Sequence, residues 1–140
     1  MDDDTTDKAT SPIAPLARPA ARSRHISVWV DADPEAVYAF AADRAELPRW
    51  AAGLADPTLS DAEVEFAPPN QFGVVDHVVR LPSGEAVYNP MRVIPAGTGE
   101  AGCEVVFTLR RRAGVTDSEF DADAAAVAAD LATLRGLVEG

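Results

Sequence analysis

The stretch FGVVDHVVRLPSGEAVYNPMRV, residues 72–93, places four polar residues among valines: Asp76, His77, Asn89 and Arg92. These residue types can do chemistry, because an imidazole with a pKa of about 6.5 serves as an acid or a base near neutral pH. An adjacent carboxylate can orient such a ring, and an amide can bind a carbonyl group. The stretch therefore has three interpretations: a catalytic set, a group of ligand contacts, or the polar half of an ordinary sheet.

Strand alternation separates Asp76 from His77. Successive side chains of a strand point to opposite faces, so these two neighbours in sequence do not face each other. Asp76, Arg80 and Arg92 are predicted to share the outer face, where Asp76 would pair with one of the two arginines. Exposed ion pairs of this kind contribute little to stability. Asp76 is thus not expected to orient the His77 ring.

The turn LPSGE, residues 81–85, determines which residues face each other across the hairpin. Pro82 suits the second position of a type I turn, and Gly84 suits the left-handed residue that follows, which makes a three-residue loop with a bulge. In that register His77 faces Asn89. A two-residue loop would bury an unpaired arginine, which is costly, so the three-residue loop is preferred.

The inner face of the hairpin is apolar except for His77 and Asn89, and we expect it to line a cavity. The predicted ligand-binding residues are Val75, His77, Val79, Val87, Asn89, Met91, Phe107, Val127 and Leu131. Three roles stay open for His77: a structural His–Asn pair satisfied in the core, a ligand contact, or an acid/base catalyst. Catalysis is the least supported, because no carboxylate shares its face.

The flanking segments provide elements that can hold the hairpin. The predicted elements are a strand at 25–31, a helix at 33–43, a second short helix or turn at 45–54 broken near Pro48, a short strand within 61–69, the two hairpin arms, and a long strand at 102–112. Asp33 is a natural N-cap for the first helix, and Pro34 fits its first position.

A long C-terminal helix is predicted after residue 115. Thr116 and Glu119 have the spacing of a capping box, and an apolar stripe follows them. Because the strands alternate, one sheet face is buried, and this helix is the expected cover. Asp123 and Asp130 flank the stripe, where we interpret them as a solvated shoulder, with the mouth of a pocket as the alternative.

Composition narrows the class of protein. A chain of 140 residues that is 47% hydrophobic is expected to form one domain with a real core, here residues 24–140, after a disordered tail at 1–23. The net charge of −11 argues against nucleic-acid partners. No apolar run is long enough to span a membrane, and a single cysteine favours the cytoplasm. The spacing of His and Cys predicts no metal site, and no cofactor is expected.

These segments, from ISVWVDADPEAVYAFAADRAELPRW to FGVVDHVVRLPSG…NPMRVIP…EVVFTLRRRAGVTDSEF, resemble the START-like (SRPBCC) helix-grip superfamily over residues 24–140. They look most like its bacterial branch of polyketide cyclase/dehydrase-like proteins. The resemblance implies an α+β fold in which a curved antiparallel sheet of five to six strands wraps a long C-terminal helix, with two short helices after the first strand. It also implies a cavity between sheet and helix, which relatives use for lipids, polyketides or aromatic compounds.

The function expected from this resemblance is binding of a small apolar ligand, a lipid, polyketide or aromatic compound, without established catalysis. One alternative is a cyclase/dehydratase-type enzyme with His77 as acid/base. Another is a protein-interaction module completed by homodimerisation, since only 21 residues separate Trp50 from Phe72, where the family places a hairpin and a further strand. That segment offers a clear strand near Val64–Phe66 and a weaker one near Thr58–Ser60.

Overall fold

The computed structural model describes residues 22–52 and 63–140. The elements are β1 (Ser23–Val30), α1 (Pro34–Ala41), a 3-10 turn (Arg44–Glu46), α2 (Leu47–Trp50), β2 (Glu63–Phe66), β3 (His77–Arg80), β4 (Ala86–Asn89), β5 (Met91–Pro95), β6 (Cys103–Arg110) and α3 (Asp117–Glu139). The predicted tail lies outside the described residues except for its last two, and the last, Ser23, already begins β1. The weaker strand predicted near Thr58–Ser60 also lies outside them.

The described strands form two antiparallel sheets of three, in the orders β1-β6-β5 and β2-β3-β4. The chain passes from one sheet to the other at Pro90, which divides the predicted second hairpin arm into β4 and β5. Pro90 has no N–H for a ladder, although its carbonyl oxygen still accepts a hydrogen bond of 3.0 Å from the Thr108 N–H. The sixth strand therefore comes from this break.

Helix α3 packs mainly on β1, with further contacts to β6, α1 and α2. Its start confirms the predicted capping box, since the Thr116 and Glu119 side chains each bind the other residue's backbone N–H. Its apolar face buries Phe120, Ala124, Leu131 and Leu134. The predicted α+β arrangement of antiparallel strands on a long C-terminal helix is confirmed.

The two short helices after β1 are also confirmed, with one correction. Asp33 caps α1 by accepting a 2.9 Å hydrogen bond from the Glu35 N–H, and Pro34 opens the helix. Pro48, however, does not break the second helix. It lies in the first turn of α2, where a missing N–H costs nothing because that turn has no intrahelical acceptor.

The hairpin has the predicted register. His77 pairs with Asn89 and Val79 with Val87, and the Leu81 N–H donates to the Glu85 carbonyl at 2.9 Å. Gly84 has a φ of 94°, as the left-handed residue of the three-residue loop requires. Local turn chemistry was therefore sufficient to place every side chain of the hairpin on its face.

Candidate ligand-binding cavity

A cavity of about 270 Å³ lies between the hairpin, α2 and α3. Its wall is mainly apolar, with a few polar side chains from different elements. The lining residues are Leu47, Trp50, Ala51, His77, Val79, Asn89, Phe107, Leu109, Asp123, Ala126, Val127, Asp130 and Leu131. Apolar walls with a few placed polar groups are typical of sites that bind small molecules.

Six of the nine predicted ligand-binding residues lie in this wall: His77, Val79, Asn89, Phe107, Val127 and Leu131. The structure places the other three elsewhere. Val75 and Met91 are sealed in the core, and Val87 is half-buried outside the wall. Alternation put these three on the correct face, but the cavity spans only part of that face.

Sequence reasoning missed the contribution of α2, which brings Leu47, Trp50 and Ala51 to the cavity. A four-residue helix has no measurable apolar stripe, so its pattern could not show which side faces inward. The Leu-x-x-Trp spacing was the available signal, because residues three apart on a helix share a face.

Asp76 and His77 both compensate for a backbone hydrogen bond that is missing between Val75 and Met91. In a regular antiparallel ladder Val75 and Met91 would exchange two backbone hydrogen bonds. Here the Val75 N–H donates to the Met91 carbonyl at 2.9 Å, but the Met91 N–H donates to the Asp76 carboxylate at 2.9 Å. The Val75 carbonyl instead accepts from His77 Nδ1 at 3.0 Å. The adjacent Asp and His are thus substitutes for one missing backbone bond.

The expectation that Asp76 belongs to an exposed ion pair is wrong. The predicted partner is correct, since Arg92 lies 3.1 Å from the Asp76 carboxylate, while Arg80 approaches Glu65 instead. Yet Asp76 is only 7% exposed, and it also accepts a 2.7 Å hydrogen bond from the Tyr88 hydroxyl. Strand alternation predicted the face of Asp76 correctly, but at this position that face is buried.

The burial of His77 favours the neutral form of its imidazole. A backbone carbonyl can only accept, so the bond to Val75 places the ring proton on Nδ1 and leaves Nε2 as an acceptor. Burial lowers the pKa of His77, and the Val75 bond and the Asp76 charge only partly oppose this shift. The ring packs between Phe66 and Phe107, with centroid separations of 5.3 and 6.2 Å.

The hydrogen-bonded pair of His77 and Asn89, one of the three roles considered for His77, is not formed. The two residues face each other in the register and both line the cavity. Across residues 22–52 and 63–140, however, the only side-chain hydrogen bond of His77 goes to Val75. The side chains of His77 and Asn89 therefore do not hydrogen-bond to each other.

Trp50 is the most buried polar group of the wall, at 3% exposure. Its indole Nε1 is sealed from solvent and has no acceptor within the described part of the chain, where no other buried side-chain nitrogen or oxygen lacks a partner. A buried donor without an acceptor costs about 1–3 kcal/mol. Because Nε1 has almost no accessible surface, Trp50 lines the cavity through its other atoms, and this donor does not face the cavity.

Asp123 and Asp130 both line the cavity, which is the pocket-mouth alternative considered for them. Asp123 is exposed, so the cavity opens to solvent on that side. Asp130 is half-buried and accepts a 3.2 Å hydrogen bond from the Ala52 N–H. Burial raises the pKa of the Asp130 carboxyl, and the Ala52 hydrogen bond partly opposes that shift.

A wider depression of about 730 Å³ lies on another surface, next to α1. Its lining residues are Pro34, Glu35, Tyr38, Asn70, Gln71, Phe72, Gly73, Val93 and Pro95. Of these only Val93 is buried, and Phe72 is 82% exposed. We take the smaller cavity as the candidate site, because five of its lining residues are buried and it lies beneath α3.

No protein-family model matches the chain, and no curated protein matches it. Among solved structures, XoxI from Bacillus cereus is 13% identical, with a TM-score of 0.51, over 84% of this chain and 96% of that one. At this identity the likeness concerns the fold alone. The fold is a helix-grip fold, in which antiparallel strands pack against a long C-terminal helix. The cavity lies between that helix, the hairpin and α2.

Two further solved structures have lower TM-scores. A protein from Chromobacterium violaceum is 13% identical with a TM-score of 0.49, over 86% of this chain and 99% of that one. BexL, a di-domain ARO/CYC from the BE-7585A biosynthetic pathway, is 18% identical with a TM-score of 0.41, over 84% of this chain and 50% of BexL.

Within the described residues, no helix combines the length and apolar character needed to cross a bilayer. Among the same residues, no three His, Cys, Asp or Glu side chains are grouped as metal ligands would be.

Proposed function

We propose that this protein binds a small, mainly apolar molecule in the cavity beneath α3. The supporting observation is the cavity itself: about 270 Å³, lined by apolar side chains and by a few polar groups that are not satisfied by one another. Pockets for small molecules usually measure about 300–1,000 Å³, so a compact ligand suits this volume.

The hydrogen-bonding groups of the wall define what the ligand can present. His77 Nε2 offers an acceptor, and the Asn89 amide offers both a donor and an acceptor. A ligand with an apolar body and one or two oxygen substituents would satisfy these groups. Lipids, polyketides and aromatic compounds all include molecules of this kind.

A pair of substitutions on α3 tests the proposal. Ala125 and Ala126 are both exposed, but only Ala126 lines the cavity. Phenylalanine at either position has the same cost in helix propensity, about 0.5 kcal/mol, so the two variants differ mainly in whether the ring can enter the cavity. Ligands would first be found by a thermal-shift screen of lipids and aromatic compounds, then measured by calorimetry.

Ala126→Phe should weaken binding at least about tenfold by filling the cavity, while Ala125→Phe should bind as the natural protein does. Equal affinities of the two variants would place the ligand outside this cavity. A broad screen in which no lipid, polyketide or aromatic compound raises the unfolding temperature would contradict the proposal itself.

Acid/base catalysis by His77 is a second candidate, because its Nε2 has no hydrogen-bond partner in the described residues and the ring lines the cavity. His77→Asn can keep the Nδ1-like bond to Val75, and His77→Gln can keep a polar group near Nε2. If His77 is a catalyst, both variants should lose turnover of a substrate that they still bind. Retained turnover in either variant would exclude this role.

Homodimerisation stays a prediction from the shortened segment before Phe72. The described edge strand β2 presents Glu63 and Glu65 to solvent. Charged edge strands oppose pairing between sheets, so this edge favours a monomer unless a partner supplies opposite charge. Light scattering over a range of protein concentrations tests the prediction, and a strict monomer would contradict it.

A further inference from the structure

His77 and Asn89 bring unused hydrogen-bonding groups to the cavity wall. The two residues face each other across β3 and β4, and both line the cavity. In the described part of the chain, His77 Nε2 and the Asn89 amide have no hydrogen-bond partner, and neither is sealed from solvent as Trp50 Nε1 is. Both groups therefore remain accessible to a molecule that binds beside them.

The His77 ring points to the cavity and not to the opposite face of the sheet. On that opposite face Asp76, Val78 and Tyr88 line a separate depression of about 200 Å³, which His77 also borders. Because side chains alternate along this segment, the side chain of His77 lies on the same face as that of Val79, which lines the cavity. His77 thus borders the depression through its backbone and the cavity through its ring.

Three contacts fix the direction of His77 Nε2. The ring donates from Nδ1 to the Val75 carbonyl at 3.0 Å, and it packs between Phe66 and Phe107. With the ring proton on Nδ1, Nε2 of the neutral ring carries a lone pair and no hydrogen. A ligand group that binds Nε2 must therefore supply the hydrogen. A ketone, an ether or a carboxylate has only lone pairs to offer at this point.

A hydroxyl group matches both residues at once. It has one hydrogen to donate to His77 Nε2 and two lone pairs, one of which can accept from the Asn89 amide N–H. Opposite residues of an antiparallel pair have Cβ atoms about 4.5–5.5 Å apart, so one oxygen can lie between the two side chains. The wall around this pair is apolar, with Val79, Phe107 and Leu109.

We infer that the ligand is a neutral hydroxyl compound whose O–H donates to His77 Nε2 and whose oxygen accepts from the Asn89 amide. This inference rests on the proposed function and specifies its ligand class. A ligand without a donor would leave the Nε2 acceptor buried and unpaired, which is how a site rejects an analogue that lacks the hydroxyl. His77 thus selects the ligand without taking part in a reaction.

Two pairs of compounds test the donor: 2-adamantanol with 2-adamantanone, and 1-indanol with 1-indanone. Each pair shares one carbon skeleton and one oxygen, but only the alcohol has a hydrogen to donate. The compounds are titrated into the full chain by calorimetry. In each pair that binds, the alcohol should bind at least about fivefold more tightly than the ketone, because the ketone leaves a buried acceptor unpaired.

Four variants assign the preference to residues. His77→Asn keeps an amide N–H for the Val75 carbonyl but has no atom at the position of Nε2, so the ratio of alcohol to ketone affinity should fall to about one. His77→Gln keeps a polar group near that position and should restore part of the ratio. Asn89→Leu should weaken both compounds alike, since either oxygen can accept from Asn89. His25→Asn is the matched control, because His25 is exposed and lies outside the wall.

Equal affinities of alcohol and ketone for the natural protein would overturn this inference, and this comparison stands even if a His77 variant folds poorly. If Ala126→Phe then weakens both compounds, the proposed function is retained. A preference that His77→Asn keeps, or that His25→Asn removes equally, would also overturn the inference. If neither pair binds at millimolar concentration while a compound without a hydroxyl binds in the cavity, the inference alone falls. If no compound binds, it falls together with the proposed function.

Discussion

Replacing Asp76 with alanine tests whether this carboxylate holds the sheet together where the chain passes Pro90. Asp76 is 7% exposed and binds three groups: the Met91 N–H at 2.9 Å, the Tyr88 hydroxyl at 2.7 Å and Arg92 at 3.1 Å. The alanine side chain would leave all three without this partner.

The three contacts differ in their contribution. The hydrogen bond of the Met91 N–H is buried, so its loss leaves a backbone donor without an acceptor and costs about 1–3 kcal/mol. Tyr88 and Arg92 are more exposed and can turn to water, so each contributes about 0.5–1 kcal/mol. We therefore expect Asp76→Ala to lower the free energy of unfolding by about 2–5 kcal/mol, a large share of the 5–15 kcal/mol of a typical domain.

Two milder variants separate the contacts. Asp76→Asn keeps an oxygen that can accept from Met91 but loses the charge, so it should cost less than half as much. Tyr88→Phe removes only the hydroxyl and should cost less than about 1 kcal/mol. Urea denaturation gives the free energies, and hydrogen exchange of the Met91 amide shows directly whether this donor has lost its acceptor.

The reasoning would be refuted if Asp76→Ala cost no more than Tyr88→Phe. It would also be refuted if the Met91 amide stayed as protected in Asp76→Ala as in the natural protein. Either result would mean that the Met91 N–H has another acceptor and that Asp76 does not stabilise the sheet.

Two further predictions concern His77 and Gly73. Because the folded pKa of His77 lies below its ordinary 6.5, the unfolded state binds the proton first as the pH falls, so stability should decrease below about pH 6.5 by at most about 1.4 kcal/mol per unit. His77→Gln should lack this decrease in stability. If the stability of the variant had the same pH profile as that of the natural protein, the decrease could not be assigned to His77. A Cβ on Gly73, which has a φ of 71°, would lie 2.1 Å from the Val93 carbonyl oxygen, so Gly73→Ala should cost more than about 2 kcal/mol. Gly97→Ala, where the Cβ meets nothing within 4 Å, is the control, and similar urea midpoints would contradict the prediction.

The features that the sequence predicts correctly are those with local causes. Side-chain direction alternates along any strand, and LPSGE selects its own loop type, so the pairing of His77 with Asn89 followed from about ten residues. The capping box of Thr116 and Glu119 is equally local, because both partners lie within one helical turn.

The features that it missed depend on distant packing. Asp76 is buried where Tyr88, Met91 and Arg92, which follow it by 12 to 16 residues, contact its carboxylate. Trp50 reaches the cavity because α2 packs against α3, a contact between segments about 80 residues apart. Neither arrangement has a periodic signature in the chain.

The hydrogen bond from His77 to the Val75 carbonyl also limits the chemistry that His77 can perform. Its Nδ1 is committed to the Val75 carbonyl, which fixes the tautomer much as a carboxylate would. A carboxylate, however, would also stabilise the imidazolium that forms when a general base takes up a proton, and a carbonyl with no net charge does so far less. Burial opposes that charge further, and it outweighs the favourable field of Asp76. His77 is therefore better suited to accept a hydrogen bond from a ligand than to remove a proton from a substrate, which favours binding over catalysis in this cavity.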